Sequence, residues 1–469
     1  MNATETNDLN TGKIDASCRL PLFPLFAGAA LWLIAGLVLA LIASIKFHAP
    51  DFLANCPFLT YGRVQPAAND AILYGFAIPA ALGVMLWIFA RLSRVEVVLP
   101  LVPFAAAHIW HLGVLIGIAE ILAGNSTGYQ WLEFPRFASP LLLAAFVLIA
   151  VSAVGTFGQR QERELYPSHW FLLASLLWFP WIYSTANLFL VAWPVRGVAQ
   201  AVIDWWFTNN LIFVWLSLVG LGIAFYFLPK LGVRPLASRF YAQFAFWTLM
   251  LFGTWLGIPQ GAPVPAWLPS VSTAASALMI VPLIAIAVIV VGTVCGANVS
   301  CKGGPYCYIK FGTVAFFFSA LMLIAQGCPH ASHLLGFTWF GPAQVLWQIF
   351  GFFAIIVLGG AYELLPRIMG FALPFPKFVR LQHWLFMAGS LLLTISLVVA
   401  GVEQGKNDYS FAATQPALRI STLGLLLLLI GSLLFAANLF LMIHKWHWGL
   451  FKSAVAAVKA PLETAEVKS

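Results

Sequence analysis

The stretch that decides the fold is residues 204–261, DWWFTNNLIFVWLSLVGLGIAFYFLPKLGVRPLASRFYAQFAFWTLMLFGTWLGIPQG, which holds two apolar segments joined by a short basic loop. Trp205 and Trp206 stand where the first segment would enter a membrane, and Pro229 and Lys230 stand where it would leave. Tryptophan and lysine are typical anchors at a membrane–water interface. The pattern therefore predicts a hairpin of two membrane-spanning helices.

The whole chain has the composition of a polytopic membrane protein. Its 469 residues are 61% hydrophobic and only 9% charged, which excludes a soluble globular protein. A spanning helix needs about 20 apolar residues, and we find twelve such segments between residues 22 and 444, the seventh at 240–260. No barrel-like alternation of apolar and polar residues is visible, so we predict an all-α polytopic bundle of twelve transmembrane helices.

The distribution of lysine and arginine predicts the topology. With the N-terminus inside, 18 of the 24 basic residues fall on the cytoplasmic side, as the positive-inside rule requires. We expect a cytoplasmic N-terminal segment at 1–20, a membrane domain at 21–445 and a cytoplasmic tail at 446–469. The net charge of +8 then reflects topology and contact with anionic lipid, and no nucleic-acid partner is expected.

Landmark residues in and beyond the opening stretch resemble a known family. The chain reads Tyr226-Phe227-Leu228-Pro229-Lys230, then Arg234-Pro235, then Phe246-Trp247. In the same order, subunit I of the cbb3-type cytochrome c oxidases reads Y-Y-F-V-P-K, R-P and F-W-A-L. These oxidases are a branch of the haem-copper oxidase superfamily. The resemblance covers roughly residues 20–445 and implies a subunit I-like bundle of twelve helices.

The metal-ligand positions of that family hold other residues in this chain. The resemblance implies six histidines that ligate two haems and one copper, and an active-site tyrosine at the position of Gly253. The six ligand positions are filled by Ala68, Asn209, Pro259, Gln260, Gln344 and Leu346. Haem needs an axial imidazole, thiolate, thioether or phenolate, and copper prefers imidazole or sulfur. The family implies haem and copper, but these replacements predict that no cofactor is bound.

Further candidate residues lie in the third predicted span. His108 and His111 are three residues apart on one helical face, so they cannot sandwich a haem, and Glu120 lies about 180° around the helix from His111. Ionisable groups inside a membrane are functional candidates; the alternative is that the histidines hydrogen-bond neighbouring helices. In the next loop, Glu133 corresponds by resemblance to an acidic residue near a haem edge, or else it is a solvated surface carboxylate.

The cysteines allow two kinds of bond. Cys295, Cys301 and Cys307 lie six residues apart in a glycine-rich loop and could take a soft metal with a fourth ligand. Their spacing fits no C-x-x-C pattern, and reduced, unligated thiols are the alternative. Cys56 and Cys328 fall on the predicted outer side, where a disulfide is allowed.

Three functional hypotheses follow from the loss of ligands. The first is a non-catalytic structural subunit of a respiratory complex in the bacterial cytoplasmic membrane, with other membrane subunits or a membrane-anchored cytochrome c as partners. The second is a functional terminal oxidase, oxidising cytochrome c and reducing oxygen with unconventional haem ligation. The third is a conduit for protons or small solutes. Because empty apolar cavities are costly, we also expect some of the 40 phenylalanines and 19 tryptophans to refill the vacated haem space.

Overall fold

The computed structural model is a bundle of long helices. It describes residues 3–466 apart from 296, 298, 300 and 302, and it describes side chains over 10–453 with the same gaps. Within that part of the chain there is no strand, and eleven helices are long and apolar enough to cross a membrane. We number twelve helices, with one shorter helix included: α1 Ala3–Ile45, α2 Tyr61–Ser93, α3 Leu101–Ala123, α4 Ser139–Gly158, α5 Pro167–Ala192, α6 Val198–Leu231, α7 Arg239–Gly253, α8 Trp267–Val294, α9 Pro305–Gly327, α10 Phe340–Met369, α11 Pro376–Lys406 and α12 Phe411–Glu466.

The shorter helix, α7, is the seventh predicted span. It ends at Gly253 and not at residue 260. Gly257, in the loop that follows, has a φ of 93°, and Pro259 has no amide hydrogen to donate to a helix. The prediction of an all-α bundle is confirmed, and the sequence placed the end of this helix too far along the chain.

Helices α2, α6 and α10 form the centre of the bundle. Their most apolar windows are wholly or almost wholly buried, whereas those of the other spans are at most about half buried. The three helices meet at Gly360 of α10, where a Cβ atom would lie 3.1 Å from the ring of Phe227 in α6 and 3.2 Å from Val84 in α2. A side chain at Gly360 would separate them, so glycine allows this close approach.

Each central helix contains a π-helical segment. These segments span Ala71–Ala77 in α2, Asn210–Trp215 in α6 and Trp347–Ala354 in α10. Each one follows closely after a position at which the family resemblance expects a metal ligand. Such segments are rare, and they occur frequently at functional sites. The local backbone irregularity therefore coincides with the vacated positions.

The two terminal segments predicted from polarity are continuous with the membrane helices. Helix α1 runs through residue 20 without a break, and α12 runs through residue 445. Before residue 20, Cys18 is buried, and Asp15 pairs with Arg91 of α2 at 3.2 Å. The part of α1 from Asp15 to Cys18 is thus packed against the bundle.

Candidate functional site

A cavity of about 490 Å³ opens at one end of the bundle. Its walls come from α1, α2, α6, α8, α9, α10, α11 and α12, together with the loops after α3 and α7 and the segment before α10. Tyr61, at the start of α2, and Phe337, just before α10, line it and are exposed. The cavity is therefore open at this end of the molecule.

Four of the six replaced ligand positions line this cavity, namely Asn209, Pro259, Gln344 and Leu346. Ala68 is buried in α2 but does not line it. Gln260 lies in the loop after α7 and donates a hydrogen bond to the carbonyl oxygen of Pro269 at 2.9 Å. The fold thus brings most of the positions at which the family resemblance expects ligands together around one space.

The expected refilling of the haem space is incomplete. Phe213 and Phe350 are buried and line the cavity, so aromatic side chains occupy part of this region. A cavity nevertheless remains, and amide and hydroxyl side chains form part of its wall. Polar walls can be hydrated or bind a ligand. The free-energy cost of this cavity is therefore smaller than that of an empty, wholly apolar cavity of the same size.

The amide side chains in and beside the cavity hold the central helices to their neighbours. Gln344 donates to Ser319 Oγ at 3.1 Å, and Gln348, one turn further along α10, donates to Ser217 Oγ of α6 at 3.1 Å. Asn210 donates to the carbonyl oxygen of Trp206 at 2.9 Å. The amides at or near the positions where the family resemblance expects ligands therefore act as interhelical and local hydrogen-bonding groups.

The donor set of the cavity does not fit a haem or a copper ion. Among the described lining residues there is no histidine, cysteine or methionine. All nine histidines lie within the described part of the chain, and none of them lines the cavity. Tyr61 contributes a phenol, but it lies at the mouth and is 40% exposed. Amides, hydroxyls and hydrocarbon do not replace the imidazole or sulfur ligands that these groups need.

The polar candidates of α3 do not converge on a common site. His108 is exposed, and its Nδ1 hydrogen-bonds within its own helix to the carbonyl oxygen of Phe104 at 2.8 Å. His111 Nε2 hydrogen-bonds to the carbonyl oxygen of Pro24 in α1 at 3.1 Å, as the structural alternative predicts. Glu120 lies near the helix end and accepts a hydrogen bond from Asn125 at 3.0 Å.

Asp70 and Glu133 form a buried carboxyl pair that the sequence analysis found only in part. Asp70 is fully buried in α2, and Glu133 is buried in the loop between α3 and α4, so Glu133 is not a solvated surface carboxylate. Their side chains lie within hydrogen-bonding reach of each other, while no N–H or hydroxyl group pairs with either oxygen of Asp70 or with Glu133 Oε2. Burial raises the pKa of Glu133 to about 7. A hydrogen bond between two carboxyl groups requires a proton on one of them. A raised pKa favours the protonated form and is therefore compatible with such a bond.

Asp70 carried a signal that the sequence analysis passed over. It is an acidic residue just inside an apolar span, and such residues are expensive to bury and usually functional or paired. The sequence could not indicate its partner, because Glu133 lies more than 60 residues further along the chain.

The cysteine loop brings two of its three thiols to one small cavity. Cys301 and Cys307 line a space of about 260 Å³ together with His383, and the amide of Gly303 donates to Cys307 Sγ at 3.3 Å. Cys295 is exposed, and four residues of this loop are outside the described chain. Within the described chain, no three histidine, cysteine or acidic residues form a group that could hold a metal ion. Cys56 and Cys328 are unpaired.

The fold is that of a haem-copper oxidase. A structure of a heme-copper terminal oxidase dimer, determined by cryo-EM, matches with a TM-score of 0.70 over 91% of this chain and 84% of that chain. The sequence identity in this match is 12%, so the match concerns architecture. It confirms the predicted subunit I-like bundle.

The chain belongs to the cytochrome c and quinol oxidase polypeptide I family, whose model matches residues 22–417. It is 24% identical to a cytochrome c oxidase subunit 1 homolog of Azorhizobium caulinodans, over 89% of this chain and 80% of the relative. It is 23% identical to the cbb3-type cytochrome c oxidase subunit CcoN1 of Stutzerimonas stutzeri, over 88% of this chain and 91% of the relative. The protein is therefore a divergent, multi-span homologue of subunit I, as the sequence motifs predict.

Proposed function

We propose that this protein is a non-catalytic structural subunit of a respiratory membrane complex, derived from an oxidase subunit I that has lost its redox-centre ligands. The supporting observation is the chemistry of the cavity. Where the family resemblance expects histidines, Asn209, Pro259, Gln344 and Leu346 line one space. Their amide, pyrrolidine and aliphatic groups offer neither the axial ligand of a haem nor the imidazole set of a copper site.

The retained architecture agrees with a structural role. The three central helices are buried and closely packed, and Asn209 and Gln344 donate hydrogen bonds to protein groups. Because relatives of this chain are named as oxidase subunits, the proposal includes other membrane subunits or a membrane-anchored cytochrome c as partners. It places the chain in the bacterial cytoplasmic membrane with both termini in the cytoplasm, as the basic residues predict.

A functional terminal oxidase is the second candidate, and family membership favours it. That function would need unconventional ligation, and Tyr61 at the cavity mouth is the described lining side chain with a haem-ligating type of group. The conduit hypothesis also involves the polar residues Asn209, Asn210 and Gln344, of which Asn209 and Gln344 line the cavity. His108, His111 and Glu120 do not line the described cavities.

A pyridine haemochrome spectrum with copper analysis on the purified full chain tests the proposal. We expect less than about one-tenth of a haem and of a copper ion per polypeptide, because the cavity has no ligand set for them. A haem-containing cytochrome taken through the same detergent and columns serves as the positive control. Recovery of one haem per chain would contradict the proposal, and loss of that haem in Tyr61→Phe would then support the oxidase alternative.

A further inference from the structure

The cavity is lined by both polar and apolar side chains. Gln130 is exposed and Thr208 is half-buried, whereas Ile72, Phe213 and Phe350 are buried apolar side chains of the wall. A cavity of about 490 Å³ has room for a hydrocarbon group against these apolar side chains, with polar partners elsewhere in the wall.

The lining selects against charge. None of the described residues that line the cavity is acidic, basic or a histidine. A charged ligand would lose its hydration and find no opposite charge in return, which is strongly unfavourable. The amide and hydroxyl side chains can instead hydrogen-bond an uncharged polar group. The chemistry of the wall therefore favours a neutral ligand.

Three buried polar atoms of the wall have no partner, and Gln326 Nε2, a donor, is one of them. Asn209 Oδ1 is an acceptor and Trp131 Nε1 is a donor, and neither is hydrogen-bonded. Both residues line the cavity and are more than nine-tenths buried, with exposed fractions of 6% and 2%. Buried polar groups are normally paired. A hydroxyl can donate to Asn209, and a hydroxyl or carbonyl oxygen can accept from Trp131.

We propose that this cavity binds an uncharged amphiphile. Its hydrocarbon part packs against the buried apolar side chains of the wall, and its hydroxyl or carbonyl head pairs with Asn209 and Trp131. A neutral lipid from the bilayer and an amphiphile from the aqueous phase share this chemistry. The site goes beyond the proposed structural role, and it rests on that proposal in one respect, because a bound haem would fill the same space.

The test uses native mass spectrometry of the purified full chain, with monooleoylglycerol as the neutral probe and oleate at pH 8 as the anionic probe with the same hydrocarbon chain. We expect one saturable monooleoylglycerol and binding of oleate weakened at least about ten-fold. Trp131→Phe should weaken monooleoylglycerol binding about five-fold, because it removes the donor. Trp267→Phe, at an exposed position outside the cavity, is the matched control and should change nothing.

A second variant fills the space itself. Ser421 of α12 is buried and lines the cavity, whereas Leu423 on the same helix is exposed and does not. Ser421→Phe should abolish saturable binding, and Leu423→Phe should leave it unchanged. A neutral lipid found in the freshly extracted protein would identify the bilayer as the source, and binding only after addition from solution would identify the aqueous phase.

Two results would overturn the inference in distinguishable ways. The amphiphile site would be refuted if haem-free protein bound oleate with the same affinity as monooleoylglycerol, or if it bound neither. The proposed structural role would not be affected by either result. The same holds if Trp131→Phe and the cavity-filling variant both bind as the parent chain does. One haem per polypeptide would refute both proposals together.

Discussion

Asn209 donates a hydrogen bond through Nδ2 to the carbonyl oxygen of Gly253, with a nitrogen–oxygen distance of 2.9 Å. By family resemblance, these two residues stand at the positions of a copper-ligating histidine and the active-site tyrosine. The bond joins α6 to the end of α7. At Gly257, in the loop beyond, a Cβ atom would lie 2.6 Å from the Cβ of Asn209, so the loop packs tightly over this pair. Two catalytic positions of the family thus form a structural contact here.

Replacing Asn209 with leucine should therefore destabilise the protein. Leucine has a similar volume but cannot donate to Gly253, whose buried carbonyl oxygen then keeps only the longer hydrogen bond from the Leu256 amide at 3.4 Å. Loss of the shorter bond should reduce the free energy of unfolding by about 0.5–1.5 kcal/mol. The apparent Tm in detergent, followed by tryptophan fluorescence, measures the change. Asn407→Leu is the control, since Asn407 is exposed and bonds within its own helix. Equal shifts in both variants would contradict an interhelical role for Asn209.

Stability should fall as the pH rises through the titration range of Glu133. Burial raises its pKa in the folded protein to about 7 from a usual value of 4.5, so the folded state holds the proton more tightly than the unfolded state. This contribution to stability is fully present below about pH 4.5, the usual pKa of the carboxyl group, and is lost as the pH rises through the raised pKa of the folded state. Glu133→Gln should flatten the dependence of Tm on pH between 5 and 8.

A matched variant separates this effect from general acid sensitivity. Glu96 is exposed and has no hydrogen-bond or ion-pair partner, so Glu96→Gln should keep the pH dependence of the parent chain. A parent protein whose Tm rises with pH over this range would show that Glu133 is ionised in the folded state, contrary to its burial beside Asp70.

Tyr74 holds the loop that forms one edge of the cavity. Its hydroxyl donates to the carbonyl oxygen of Trp131 at 2.6 Å, and both residues are buried. Tyr74→Phe should lower the free energy of unfolding by about 1–3 kcal/mol, because the carbonyl loses its partner. It should also speed proteolysis in the loop between α3 and α4. Tyr409→Phe, at an exposed tyrosine, should change neither the Tm nor the rate of cleavage. If Tyr409→Phe and Tyr74→Phe had equal effects, the hydrogen bond from Tyr74 to Trp131 would not be what holds the loop.

The sequence predicted the helices because the membrane imposes a simple rule. Apolar segments of about 20 residues must be helical in lipid, so the bundle could be predicted without knowing any contact. The end of α7 was harder, because α7 ends at Gly253 and its tryptophan-rich sequence continues as apolar past that residue. Hydropathy alone does not register that Gly257 and Pro259 take the backbone out of the helix.

The candidate site could be predicted from the sequence only as a set of positions. Motifs aligned Asn209, Gln344 and Leu346 with the family ligands, and the structure shows these residues around one cavity. That the cavity persists depends on the packing of side chains from eight helices, which no local pattern encodes. The pairing of Asp70 with Glu133 depends on tertiary contact in the same way, so it became visible only in the folded chain.

The close contact between α1 and α3 depends on the absence of a side chain at Gly28. A Cβ atom built there would overlap the imidazole of His111, which hydrogen-bonds to Pro24 in the same stretch of α1. Gly28→Val should therefore displace the ring and reduce the free energy of unfolding by about 1–3 kcal/mol. Gly12→Val is the matched control, because a Cβ atom at Gly12 in the same helix meets nothing within 4 Å. The apparent Tm of the two variants measures the effect. If Gly28→Val retains the parent Tm, His111 can leave its site without loss of stability, and the contact does not hold α1 and α3 together.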